Sequence, residues 1–138
     1  MARVIPKYEA WLQAFPTVTD LAKAKTSDVL LLWSGLGYNR RALYLQKCAQ
    51  AIKGKYDGKF PETTEELLAL PGLGKYTVAA VQSFANNKDI VVIDVNIERI
   101  FKRIFYGKIE SAEAIAQHIL PKNESRNWHN ALMDIGAL

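Results

Sequence analysis

A chain of 138 residues with 49% hydrophobic content is long enough to bury one sizeable core and too short for two domains. Eighteen Lys and Arg against fourteen Asp and Glu give a net charge of +4 and a pI near 9.2, a mild bias that suits a polyanionic partner. The longest apolar runs, VLLLW at 29–33 and IVVI at 90–93, fall far short of the ~18 residues of a membrane span. The N-terminal MARVIPKYEAW has no apolar signal-peptide core, and the single Cys48 can form no internal disulfide, so a reducing intracellular setting is expected. Cys48 itself reads as a buried core thiol.

In chain order the pattern is helix after helix. Val4, Ile5, Tyr8, Trp11, Leu12 and Phe15 keep the i, i+3, i+4 rhythm of one buried helical face, stopped by Pro16. Thr17 and Asp20 form a capping-box pattern that opens a short helix. Ser27–Trp33 reads as the next helix and Gly35-Leu36-Gly37 as its break. From Arg40 to Lys53, Leu45, Cys48, Ala49 and Ile52 share an apolar face, and Gln46, Lys47, Gln50 and Lys53 point away. Asp57-Gly58 marks a turn, and Thr63 with Glu66 caps a helix carrying Leu67, Leu68 and Leu70. Further helices are expected at 75–85, 95–106, 112–120 and 125–137, the one from 95 presenting Ile97, Ile100, Phe101 and Ile104 as its apolar face. IVVI has no obvious strand partner and reads as an extended buried connector. The fold class is all-α, a single helical domain over 1–138.

The sharpest break is LPGLGKYTVAAV at 70–81. Pro71 ends one helix, Gly72 and Gly74 permit the positive φ angles of a tight hairpin, and Lys75 starts the next helix. Such a hairpin leaves amides from Gly72 to Tyr76 unpaired, with no bulky side chain to keep a phosphate away. It can grip a nucleic-acid backbone whatever the sequence, with Lys75 adding a charge. It can equally be a plain corner between two helices. Asp94 likewise has two readings: N-cap of the helix that follows, or a carboxylate for chemistry beside the grip. Asn96 either assists in positioning or is an exposed first-turn residue. His118 and His129 lack metal-ligand spacing and read as surface or core histidines.

LPGLGKYTVAAV followed by VVIDVNIERIFKRI resembles the helix-hairpin-helix DNA glycosylases, whose signature is LPG-x-G, a helix, and an aspartate beyond it, here Asp94. FPTVTDLA at 15–22, LWSGLGY at 32–38, GKFPET at 58–63 and LMDIGAL at 132–138 are similar to segments of the adenine-DNA glycosylase branch. The resemblance implies an all-α fold with a cleft between two helical lobes. It implies monofunctional hydrolysis of the glycosidic bond of a base flipped from duplex DNA, most readily adenine opposite oxidised guanine or guanine. Double-stranded DNA with a mismatched or damaged base would be the partner of a cytoplasmic monomer. Two alternatives stand beside this reading, a thymine or uracil mismatch glycosylase and a non-catalytic helix-hairpin-helix DNA-binding module.

By the same resemblance, Asp94 would stabilise the cationic sugar or orient the attacking water. Tyr76 stands where bifunctional members carry a Schiff-base lysine. Adenine-removing relatives usually have serine there, whereas thymine and uracil mismatch glycosylases can have tyrosine. Tyr38 matches an aromatic that wedges into the base stack, against a bland reading as a core or hinge aromatic. Gly72, Gly74, Lys75, Tyr76, Tyr38 and Asn96 would meet DNA. The carbonyls of Leu68, Leu70 and Leu73 match those that hold a monovalent cation. Relatives place an acidic glutamate upstream of the ARVIPKYEAW-like segment, with which Glu9 does not align. Downstream they place four cysteines around an iron–sulfur cluster, which one Cys cannot hold. The chain therefore reads as the central portion of a glycosylase, expected to bind duplex DNA and to remove adenine slowly or not at all.

Overall fold

The computed structural model describes residues 4–105 and 111–136. They form helices and connecting loops with no strand among them, as an all-α chain should. The chain divides into two compact units, 1–73 and 74–138.

The first unit holds α1 (Val4–Ala14), α2 (Val18–Lys23), α3 (Thr26–Trp33), α4 (Arg40–Tyr56) and α5 (Thr64–Leu68). Its core gathers Leu21, Val29, Ala42 and Ala49, walled by Trp11, Phe15 and Trp33. The rings of Trp11 and Phe15, and of Trp11 and Trp33, meet edge to face at 5.1 and 5.6 Å. The Thr17–Asp20 capping box is present in full, and Thr63 accepts the Glu66 amide at the start of α5. Asp57 and Gly58 make the left-handed turn that ends α4.

Two expectations fail in this unit. Val4, Ile5, Tyr8 and Leu12 are exposed, because only Trp11 and Phe15 of the α1 stripe reach the core. The 3.6 period says which residues share a face and is silent on what covers it. On α4, Leu45 is exposed and Gln46 buried, Ala42 taking the apolar place. The Gln46 amide donates to the Ala24 carbonyl at 2.8 Å and accepts from Thr26 Oγ1 at 3.1 Å, so its polar atoms are satisfied where it enters the core.

The second unit holds α6 (Lys75–Ala80), running on as a π turn (Val81–Ala85), then α7 (Val95–Ile104), α8 (Ala112–Ile119) and α9 (Ser125–Gly136). Ile97, Ile100, Phe101 and Ala116 make its core, with Val91, Ile93, Trp128, Leu132 and Met133 around them. Ile104, expected on the buried face of α7, is exposed in the last turn. The expected helix ends at 106 and 137 lie outside the described residues. Residues 90–94 form the extended connector, with Val92 buried.

Candidate functional site

In the first unit, α5 ends before Pro71, and Gly72 follows at φ +83°. A Cβ at Gly72 would lie 2.6 Å from Tyr44 Cβ and 2.9 Å from its Cγ. Backbone conformation and close approach therefore both require glycine there. Gly74 is a correction to the sequence reading: at φ −91° and ψ 174° it is ordinary extended backbone, and a Cβ would meet nothing within 4 Å. Its small size leaves open space rather than permitting a turn.

Gly74 is the N-cap of α6 and brings no capping side chain. The first helical bond runs from the Val78 amide to the Gly74 carbonyl at 2.9 Å. The first-turn amides of Lys75, Tyr76 and Thr77 therefore have no intrahelical acceptor, at the end of the helix where its dipole is positive. Gly72, Gly74, Lys75 and Tyr76 are all exposed. An anion can approach this backbone without displacing a side chain.

Asp94 sits at the start of α7 and caps it. Its Oδ1 accepts the amides of Asn96 at 2.9 Å and Ile97 at 2.8 Å, while among the described residues Oδ2 accepts only the Asn96 side-chain amide at 3.2 Å. One oxygen is committed to the backbone and the other keeps lone pairs for a further partner. Asn96 is held in turn: Arg99 Nη2 donates to its Oδ1 at 2.8 Å and also to the Gly136 carbonyl. Gly136 is required for this packing, since a Cβ there would lie 2.9 Å from Asn96 Cβ. Tyr76 stands within electrostatic reach of Asp94: partial burial first, and the carboxylate charge second, push its phenol above the ordinary value. The structure thus gathers Asp94, Asn96 and Tyr76 within the second unit.

Tyr38 lies in the first unit at φ +49°, with 85% of its surface exposed, which removes the core reading. Gly35 and Gly37 also take positive φ, and Trp33 Nε1 ties the loop by donating to the Gly37 carbonyl at 2.8 Å. Glu9 and His118 are exposed. Among the described residues no group of three or more His, Cys, Asp or Glu side chains could hold a metal.

His129 was legible only as surface or core, and its network was missed. The ring is fully buried; Nε2 accepts the Val92 amide at 2.9 Å, and Nδ1 donates to the Ser125 carbonyl at 2.7 Å. Burial outweighs the Ser125 bond and lowers its pKa below the ordinary 6.5. As pH falls past 6.5 the unfolded chain takes up the proton first, so stability is lost on acidification. The unfolding free energy from urea titrations should fall between about pH 7 and pH 5, by at most about 1.4 kcal/mol per pH unit for this one group. His129→Gln should show a shallower fall; an unchanged slope would remove His129 as its source.

A family model for "HhH-GPD superfamily base excision DNA repair protein" matches residues 1–123. The chain is 35% identical to the adenine DNA glycosylase of Mycolicibacterium smegmatis, over 99% of this chain and 49% of that one. It is 38% identical to that of Buchnera aphidicola, over 96% and 40%, and 34% identical to the human enzyme, over 99% and 27%. The chain thus spans about half the length, or less, of these relatives. A thermostable thymine-DNA glycosylase superposes with a TM-score of 0.86 at 28% identity, covering 96% of this chain and 65% of that one. Endonuclease III in a non-covalent DNA complex superposes with a TM-score of 0.80 at 26% identity, covering 95% and 64%.

Proposed function

We propose, for a chain that belongs to the HhH-GPD superfamily of base excision DNA repair proteins, that it carries the DNA grip and the sugar-stabilising carboxylate of a monofunctional DNA N-glycosylase. The observation that carries the reading is Asp94: its Oδ1 is fixed by two backbone amides, its Oδ2 keeps lone pairs, and Tyr76 at the start of α6 feels its charge. As the bond between base and sugar breaks, positive charge develops on the sugar, and a carboxylate held in place lowers its energy or orients the attacking water. The open amides from Gly74 to Thr77 would hold a phosphate, and Lys75 would add charge. Helix α4 supports a polyanionic partner too: Arg40, Arg41, Lys47, Lys53 and Lys55 lie on it with no acidic residue. Lys47 lies over the Tyr44 ring against which Gly72 packs.

Duplex DNA is therefore the proposed partner, in a cytoplasmic setting, and Tyr38 the residue proposed to enter the base stack. The carbonyls of Leu68 and Leu73 take no donor among the described residues, and that of Leu70 takes only the Leu73 amide at 3.3 Å. Such oxygens suit a hard monovalent cation, which would stiffen the turn that holds the phosphate.

Adenine opposite oxidised guanine or guanine is the base this reading favours, on the strength of relatives 34–38% identical over nearly the whole chain. Tyr76 and the likeness to a thymine-DNA glycosylase favour thymine or uracil as the second reading. Release of each base from mismatched duplexes separates them, with a form extended to the length of its relatives assayed beside the chain. Binding with no release by either form would leave a DNA-binding module. The same assay tests Tyr76. A phenol cannot form an imine with the sugar, so borohydride should trap no covalent adduct and strand breaks should need added alkali. A trapped adduct would sink the monofunctional assignment.

A further inference from the structure

We propose that His129 is a positioning residue for Asp94, acting through the backbone of residues 90–94; this rests on the reading of Asp94 as the group that acts on the sugar. That segment forms neither helix nor strand, so neighbouring groups must fix its path. Two of them come from one turn of α9. The Val92 amide donates to His129 Nε2 at 2.9 Å, and Ser125 Oγ donates to the Ile90 carbonyl at 3.2 Å. These attachments lie two and four residues before Asp94, which then takes the first amides of α7.

The protonation state follows from the donors. Nε2 receives a hydrogen from Val92 and carries none, so the ring proton is on Nδ1, where the Ser125 carbonyl accepts it at 2.7 Å. Ser83, from the π turn after α6, places its hydroxyl 2.8 Å from Ser125 Oγ. Trp128 and Phe84 meet the imidazole edge to face at 4.8 and 5.9 Å. A ring enclosed on these sides has one orientation, and its acceptor fixes Val92. Any shift of Val92 passes along two peptide units to the carboxylate of Asp94, where a misplacement of about 1 Å can cost a hundredfold in rate.

The test compares His129→Leu, which removes the acceptor, with His129→Gln, whose amide oxygen can take the place of Nε2, both in the full chain. Amide hydrogen exchange should quicken roughly tenfold or more at Val92, Asn96 and Ile97 in His129→Leu, and return toward the parent rate in His129→Gln. Amides of the first unit should not change. In whichever form releases base, the chain alone or one extended to the length of its relatives, single-turnover release should fall by roughly tenfold or more in His129→Leu, with duplex affinity within about twofold and recovery in His129→Gln. Unchanged exchange at Asn96 and Ile97, or His129→Gln no better than His129→Leu, overturns the proposal. Should His129→Leu not fold, His129→Asn serves under the same criterion, since its side chain is too short to reach Val92. If neither the chain nor a form extended to the length of its relatives releases base, the glycosylase reading fails, and exchange alone decides the positioning.

Discussion

Asp94→Asn should abolish base release while leaving duplex affinity intact, in whichever form of the protein releases base, the chain alone or one extended to the length of its relatives. The two functions of Asp94 separate because they use different properties of one side chain. Capping needs an acceptor oxygen for the amides of Asn96 and Ile97, and asparagine is about as good an N-cap as aspartate. Charge stabilisation needs the anion, and removing one well-placed electrostatic group costs about 10²–10³ in rate. A small stability cost is also expected. With its oxygen kept on the backbone, the substituted side chain would turn its NH2 toward the Asn96 amide nitrogen, which Arg99 holds in its present orientation. That conflict is worth about 1–2 kcal/mol at most, read as a modest drop in the urea midpoint. Asp94→Ala should lose both functions, adding about 0.5–2 kcal/mol for the missing cap. Full activity in a folded Asp94→Asn protein would make Asp94 a cap and nothing more.

How much of this is legible in the sequence depends on how local the cause is. The Thr17–Asp20 capping box, the Thr63 side-chain cap, the Gly35–Gly37 break, the Asp57-Gly58 turn and the Asp94 cap are decided within four residues of chain, and the sequence pattern located each of these positions, though at Thr63 the cap runs one way and is not the full box. The exposed stripe of α1 and the buried Gln46 depend on what packs over them, which no periodicity records. His129 is the clearest case. A lone histidine on a helix gives no sign that it accepts the Val92 amide, since that bond joins residues 37 apart and forms only when α9 lies along the connector. The arginine that orients Asn96 was likewise unremarkable in sequence, one of several basic residues on α7. A buried polar network has to be read from both partners at once, and a single sequence shows each partner alone.

The two hairpin glycines should fail in opposite ways. Gly72→Val places a β-branched residue at φ +83°, which costs about 1–3 kcal/mol. It also drives a Cβ to 2.6 Å from Tyr44 Cβ, an atom fixed to the α4 backbone that cannot rotate aside. Overpacking of that kind costs about another 1–3 kcal/mol. Against a total stability of about 5–15 kcal/mol, the sum should lower the melting temperature by about 10 °C or more. Gly74→Val should leave stability nearly unchanged, because φ −91° and ψ 174° suit a β-branched residue and the space around it is open. That same open space is where a phosphate would reach the amides of α6. Valine there should weaken duplex binding by about tenfold or more, equally for every sequence, since backbone contacts carry no base information. Thermal melting and duplex affinity measured on both variants decide it. Normal affinity in a folded Gly74→Val protein would remove the backbone grip, and a Gly72→Val protein as stable as the parent would mean that α4 yields where its packing says it cannot.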